Sequence, residues 1–250
     1  MNPDTLLQLS SLERRFGSFL AVDKIDFEVK RGEIFALLGP NGAGKTTTMR
    51  MITGTLQADA GKAEIGGHDC FTERHLCMRE TGYVPDEPSF PPFLRAGELI
   101  RFQGEMHGLD AATISAKAGP LVKRLGLEEV SHEFAVNFSK GMKKKLAVVL
   151  ALIHSPRLLI LDEPTNGLDP YATRELHEIM KELRAAGCAV LFSTHLLDQA
   201  ERLSDRLAII SQGRIAVIGT LAELRNGSDS GLEELFFLYT GSAPTAGVVE

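Results

Sequence analysis

Three short apolar runs along the chain predict buried β-strands. Residues 34–38, 158–161 and 189–192 are nearly continuous in hydrophobic residues, stand beside turn residues and are too short for helices. Runs of this kind are typical of parallel strands that are covered on both faces. The pattern therefore predicts a parallel sheet in the interior of the protein.

A helix is predicted between the second and third of these strands. Residues 171–186 follow Asp169 and Pro170, which suit a helix start, and precede Gly187, which suits a helix end. Apolar residues recur there at helical spacing: Leu176, Ile179, Met180 and Leu183. Strand, helix and strand in this order build an α/β fold with a mainly parallel sheet.

The two ends of the chain show a different pattern. Residues 6–29 contain short β-like segments, and Ile25, Phe27 and Val29 alternate with polar residues, which predicts an N-terminal antiparallel sheet with one face in water. Residues 206–219 predict two short strands that turn near Gln212.

Domain boundaries follow from these elements. Residues 91–153 have helical character and no strong strand signal, so we interpret them as a helical lobe inserted between two parts of the core. Residues 242–250 are rich in Ser, Pro and Gly and are predicted to form a flexible tail. The rest, residues 1–241, is predicted to be one domain.

Composition narrows the class of protein. The chain has 250 residues, 44% of them hydrophobic, and a net charge of -6, which argues against broad binding of nucleic acid. The longest apolar run, residues 146–153, is too short to cross a bilayer, and residues 1–12 show no secretory signal. Three cysteines without a CxxC pair fit a reducing compartment. A cytoplasmic protein is expected.

A glycine-rich segment after the first buried strand predicts a phosphate-binding loop. It fits the pattern G-x-x-x-x-G-K-[ST], and helix-compatible residues follow it. Its backbone N–H groups would surround the phosphates of ATP, Lys45 would contact the outer phosphates, and Thr46 would offer its hydroxyl to Mg²⁺. A simple glycine turn is the alternative. The candidate nucleotide-binding residues are Gly39, Pro40, Asn41, Gly42, Ala43, Gly44, Lys45, Thr46 and Thr47.

Two carboxylates end the second buried strand. Asp162 and Glu163 emerge at its carboxyl end, which is where open α/β sheets bind ligands. Asp162 suits a magnesium ligand, and Glu163 suits the base that activates the attacking water. The alternative is an acidic turn before Pro164, which the presence of a phosphate loop disfavours.

Four further segments, at residues 138–142 and around Asp169, His195 and Phe16, accompany the phosphate loop and the acidic pair in a fixed order. Together these motifs make the chain resemble the nucleotide-binding domain of ABC transporters over nearly its whole length. Residues 138–142, Phe-Ser-Lys-Gly-Met, are similar to the family's signature segment, with Ser139 and Gly141 where the family has them. Lys140 and Met142 depart from the usual glycine and glutamine. The resemblance implies that Ser139, Gly141 and Met142 contact ATP.

The other three segments supply one candidate residue each. Asp169 lies in a segment similar to the D-loop, His195 follows the third strand where the family has its switch histidine, and Phe16 stands at the adenine-stacking position. Taken singly, Asp169 fits a helix N-cap, His195 a hydrogen-bonded bystander and Phe16 a core residue. Their joint order with the other motifs supports the resemblance.

The resemblance implies a head-to-tail dimer, with two copies of the chain or with a second ABC ATPase. In such a dimer the signature of one subunit faces the ATP on the phosphate loop of the other. Lys143, Lys144 and Lys145 follow the signature in the first turns of a helix, where cations oppose the helix dipole. They predict either a docking site for a polyanion or a solvated face.

Asp86 is the clearest departure from the family. It occupies the position of the usual glutamine, in Gly-Tyr-Val-Pro-Asp-Glu-Pro from residue 82 to residue 88. A carboxylate suits magnesium, so Asp86 is a candidate metal ligand, with a stabilised proline-bounded turn as the alternative.

Asp86 and the Ser-Lys-Gly-Met signature together resemble exporter cassettes that pair with a separate membrane permease, at the inner face of the cell membrane. The predicted function is transport-coupled ATP hydrolysis. The alternatives are a soluble ABC ATPase outside transport and an ATP-binding regulatory subunit.

Overall fold

The computed structural model describes residues 4–225 and 232–241. The predicted tail, residues 242–250, lies outside the described residues. The strands are β1 Thr5–Phe16, β2 Phe19–Lys30, β3 Ile34–Leu38, β4 Ala60–Ile65, β5 His68–Asp69, β6 Thr81–Val84, β7 Leu158–Asp162, β8 Ala189–Thr194, β9 Arg206–Ser211 and β10 Arg214–Gly219. The helices are α1 Lys45–Ile52, α2 Arg74–Arg79, α3 Ala96–Met106, α4 Ala111–Arg124, α5 Lys140–Leu152, α6 Pro170–Ala185, α7 Leu197–Leu203, α8 Leu221–Arg225 and α9 Leu232–Thr240.

Six strands form the central sheet, in the order β10-β9-β3-β8-β7-β6. Neighbouring strands from β9 to β6 are parallel, and only β10 joins antiparallel at one edge. Leu38 of β3 therefore lies beside Thr194 of β8, and Asp162 of β7 beside Ser193 of β8. The carboxyl ends of three strands meet at one edge, and the predicted α/β fold with a mainly parallel sheet is confirmed.

A second sheet covers one face of the first. Its order is β2-β1-β4-β5, and all of its pairs are antiparallel, as predicted for the N-terminal segment. Alternate residues of β2 point inward, so the ring of Phe27 stacks on Phe35 of β3 with 5.1 Å between ring centroids. This packing joins the N-terminal sheet to β3 of the central sheet.

Helices cover the other face. Helices α3, α4 and α5 fall within residues 91–153, the predicted extent of the helical lobe, and contact one another. The apolar half of α5 is buried, and its Leu146, Val148 and Val149 belong to the same core as Ile34 and Leu38 of β3. Helix α5 thus links the lobe directly to the central sheet. The limits of the lobe and of the domain stay predictions.

The sequence patterns missed some elements. Strands β4, β5 and β6 and helix α2 are all between two and six residues long. Such short segments show too few periods for a hydrophobic pattern to stand out. In the parts of the chain that the structure describes, every helix is too short or too polar to span a membrane.

Candidate nucleotide site

The phosphate loop connects β3 to α1 and needs glycine at two positions. A Cβ atom on Gly39 would lie 2.4 Å from the carbonyl oxygen of Ile210, and one on Gly44 would lie 2.6 Å from that of Ala21. Gly44 also has a φ of 106°, which residues other than glycine rarely adopt. The loop can therefore approach β9 and β2 closely and present the first N–H groups of α1 as an anion site.

Lys45 is held at the centre of this loop. Its side chain is buried, and its ammonium donates to the carbonyl oxygens of Gly39 at 2.8 Å and Pro40 at 3.2 Å. The same ammonium lies 3.1 Å from Oε1 of Glu163. A buried cation requires such partners, and these fix the ammonium beside the predicted phosphate site.

Asp162 ends β7 and is completely buried. Ser193 of β8 donates to its Oδ1 at 2.5 Å and accepts a hydrogen bond from the backbone N–H of Glu163 at 3.0 Å. Burial raises the pKa of Asp162, although the hydroxyls of Ser193 and Thr46 lower it in part. The acidic pair is thus positioned by Ser193, a residue that the sequence patterns did not single out.

The other carboxylate oxygen of Asp162, Oδ2, is buried and has no hydrogen-bond partner among the described residues. A buried oxygen of this kind is costly unless a cation or donor meets it. Oxygen ligands are those that Mg²⁺ prefers, so the donor set fits this ion.

Glu163 has an unusual backbone and a paired carboxylate. Its φ is 45°, in the left-handed region that residues other than glycine rarely adopt. Its Oε1 lies 3.1 Å from the ammonium of Lys45, and its Oε2 lies 2.9 Å from Nδ1 of His195. Strain of this kind is maintained by the surrounding structure and is concentrated at functional sites.

One cavity of about 460 Å³ brings half of the predicted site residues together. Three of its lining residues, Phe19, Ala21 and Asn166, were not predicted. Asn166 donates to Oδ1 of Asp86 at 3.2 Å. The predicted residues that line the cavity are Asn41, Gly42, Gly44, Lys45, Thr46, Thr47, Asp86, Glu163 and His195.

Phe16 lies outside the lining of this cavity. Its ring is 47% exposed, so it is not a core residue, and the guanidinium of Arg14 lies 4.9 Å from its centre. Phe19, across the turn that joins β1 to β2, does line the cavity. The adenine-stacking role of Phe16 stays a prediction.

The signature segment forms the start of α5, also away from the cavity of its own chain. Ser139 is the N-cap, and its Oγ accepts from the backbone N–H of Met142 at 3.2 Å. A Cβ atom on Gly141 would lie 2.5 Å from the carbonyl oxygen of Gly167. The signature helix therefore packs directly on the D-loop segment, and only glycine fits at residue 141.

The interpretation of the lysine run as a docking site or a solvated face is wrong for Lys144. Its side chain is completely buried and its ammonium donates to backbone carbonyls of this chain. Lys145 pairs with Asp169 at 2.9 Å, and Lys140 pairs with Glu87 at 3.4 Å. Asp169 is also the N-cap of α6. Apolar patterning cannot foresee a buried lysine, because its burial depends on carbonyl groups from distant segments.

A phosphate loop at a helix start, an acidic strand end and a parallel sheet define a P-loop ATPase. The ABC transporter family model matches residues 22–166. The chain is 37% identical to the linearmycin resistance ATP-binding protein LnrL of Bacillus subtilis, covering 93% of this chain and 78% of that protein. It is 38% identical to a Nod factor export ATP-binding protein I of Ralstonia nicotianae, covering 88% and 72% respectively.

A solved structure agrees with these relatives. The ATP-binding subunit of an ABC transporter superposes with a TM-score of 0.89 at 35% identity, covering 94% of this chain and 99% of that one. The chain therefore belongs to the ABC transporter family, as an ATP-binding, ATP-hydrolysing subunit. The family resemblance inferred from the motifs is confirmed.

The position of Ser193 generates the first prediction. Ser193→Ala removes the donor to Asp162 and leaves the buried N–H of Glu163 without an acceptor, which costs about 1–3 kcal/mol. We expect a lower free energy of unfolding in urea and slower ATP hydrolysis. Ser211→Ala, at the end of β9, is the matched control. Unchanged stability and turnover in Ser193→Ala would contradict the bridging role.

Proposed function

We propose that this chain is the ATP-hydrolysing motor of an exporter, working as a dimer and bound to a membrane permease at the inner face of the cell membrane. The observation that carries the catalytic part is the carboxylate of Glu163, held between Lys45 and His195. This position suits a base next to the terminal phosphate of ATP.

The residues of the site have different roles in binding and hydrolysing ATP. The phosphate loop and Lys45 hold the phosphates, and Glu163 accepts a proton from the attacking water while His195 orients its carboxylate. Thr46, Asp162 and Asp86 would hold Mg²⁺, which supplies positive charge to the phosphate oxygens when bound. The buried free oxygen of Asp162 supports this assignment.

A dimer explains the residues that lie away from the cavity. Ser139, Gly141 and Met142 do not line the cavity of their own chain, so they are free to contact ATP on a second subunit. Asp169, the N-cap of α6, pairs with Lys145 of the signature helix α5 and would move with the signature. Phe16 would stack on adenine from the exposed turn of the N-terminal sheet.

A groove of about 1090 Å³ supports the permease contact. Its apolar lining includes Phe102 and Met106 of α3, which are 55% and 69% exposed. Phe90 lines it too, whereas Phe93 does not. Exposed apolar surface in a groove is typical of a binding site for an amphipathic helix. Basic residues in the same lining favour acidic residues on that helix: Arg50, Arg74, His75 and Arg79.

The groove also touches the catalytic centre. Thr46, Asp86 and Asp162 line it as well. A helix docked there would therefore lie next to the proposed magnesium ligands. Two stacked histidines, His107 and His154, with ring centroids 3.8 Å apart, lie in the same lining. Burial lowers the pKa of both, that of His154 to about 4, so His154 stays uncharged at neutral pH.

Export is supported by the relatives. The Bacillus protein is named for resistance to an antibiotic and the Ralstonia protein for export. Asp86 and the Ser-Lys-Gly-Met signature resemble exporter cassettes. The paired Glu163 and His195 favour a working ATPase over an ATP-binding regulatory subunit.

The catalytic proposal predicts the behaviour of Glu163→Gln. An amide cannot accept the proton, so hydrolysis should fall by roughly a hundredfold or more while ATP still binds. ATP should then trap a dimer that size-exclusion chromatography detects. Glu133→Gln, in the helical lobe, is a control for loss of one carboxylate. Wild-type turnover in Glu163→Gln would place the base elsewhere.

The groove proposal predicts that binding of the permease can be disrupted without loss of ATP hydrolysis. Phe102→Asp and Met106→Asp should leave basal ATPase within about twofold, because both side chains already contact solvent. They should abolish co-purification with a permease co-expressed from a neighbouring reading frame. Phe71→Asp, at an exposed position outside the groove, is the matched control. Normal co-purification of both groove variants would contradict this docking site.

A further inference from the structure

Lys144 is a buried cation at the junction of three segments. Its side chain is 0% exposed, and its ammonium donates to the carbonyl oxygens of Pro85 at 3.0 Å, Asp162 at 3.3 Å and Glu163 at 3.1 Å. Lysine is almost never fully buried unless it is paired, because desolvating the charge is costly. Burial accordingly lowers the pKa of Lys144, and nearby carboxylates counteract this effect.

Asp86 provides the opposite charge. Its Oδ1 lies 3.6 Å from the ammonium of Lys144 and accepts a hydrogen bond from Asn166 at 3.2 Å. Asp86 also lines the cavity that contains Lys45 and Thr46. The carboxylate thus has Lys144 on one side and the nucleotide cavity on the other.

This arrangement resolves an electrostatic difficulty at the site. A carboxylate at residue 86 adds negative charge near the place where the terminal phosphate of ATP would lie, which weakens nucleotide binding. A buried ammonium at 3.6 Å makes the pair neutral overall. A neutral pair that still presents carboxylate oxygens can face a metal or water without repelling the phosphates.

We propose that Lys144 is a positioning residue that neutralises Asp86 and fixes its carboxylate at the nucleotide cavity. Through its carbonyl contacts Lys144 also joins the signature helix α5 to the carboxyl end of β7. The role at ATP rests on the proposed function, whereas the pairing itself does not. A merely structural lysine would satisfy the three carbonyls whether or not residue 86 is acidic.

A double-mutant cycle on the nucleotide-free chain tests the pairing. Lys144→Gln should lower Tm by roughly 5–10 °C, because it removes one partner of a buried charge pair. Asp86→Asn should lower it by less, since its carboxylate is partly exposed. If the two are paired, the double variant should melt at least about 2 °C above the value that the two shifts predict by addition. Additive shifts would overturn the proposal.

ATP binding without metal tests the charge compensation. With EDTA present, Lys144→Gln should bind a fluorescent ATP analogue about three- to tenfold more weakly, because Asp86 is left uncompensated. Asp86→Asn should bind it at least as tightly as wild type, and the double variant should approach wild type. Lys123→Gln, a lysine of the same lobe on α4, should leave affinity unchanged. Equal weakening in Lys144→Gln and in the double variant would overturn the compensation.

The two measurements separate this proposal from the catalytic one. If wild type failed to bind the analogue both with EDTA and with magnesium present, the proposed function would fail, and the Tm cycle would still decide the pairing. If binding were normal and the shifts in Tm were additive, only the pairing would be wrong.

Discussion

The structure depends on burying charged groups at the carboxyl edge of a parallel sheet. Asp162 and Lys45 are both withdrawn from water there, and Glu163 lies between Lys45 and His195. Desolvated charges are stable only when they are paired or hydrogen-bonded. Ser193 and the loop carbonyls supply part of that pairing, and Oδ2 of Asp162 stays without a hydrogen-bond partner among the described residues. A site organised in this way is prepared for a polyanion accompanied by a divalent cation.

The signature helix α5 extends this arrangement into the helical lobe. Lys140, Lys144 and Lys145 pair with Glu87, Asp86 and Asp169, which belong to the loop after β6 and the segment before α6. These pairs differ in burial, and exposed pairs contribute little stability. Lys144 is the buried member, and its ammonium also contacts the carbonyl oxygens at the carboxyl end of β7.

Elements and motifs that a contiguous stretch of sequence encodes were predictable from the sequence. Strands β3, β7 and β8 are short apolar runs, and the phosphate loop is a contiguous motif. The contacts of Ser193, Asn166 and Lys144 were not foreseen, because their partners are distant in sequence. Ser193 lies 31 positions from Asp162, and Asn166 and Lys144 lie 80 and 58 positions from Asp86. Strand β6 was missed because its four residues, Thr-Gly-Tyr-Val, carry little apolar signal.

The most direct test of the account is the effect of magnesium and ATP on the thermal stability of the isolated chain. Binding to the native state alone stabilises it by about 2.7 kcal/mol at a hundredfold excess over Kd, which raises Tm measurably. Lys45→Ala should lose most of this increase at the same ATP concentration, whereas the exposed-site control Lys62→Ala should keep it. An equal increase in wild type and Lys45→Ala would contradict the assignment of the phosphate loop.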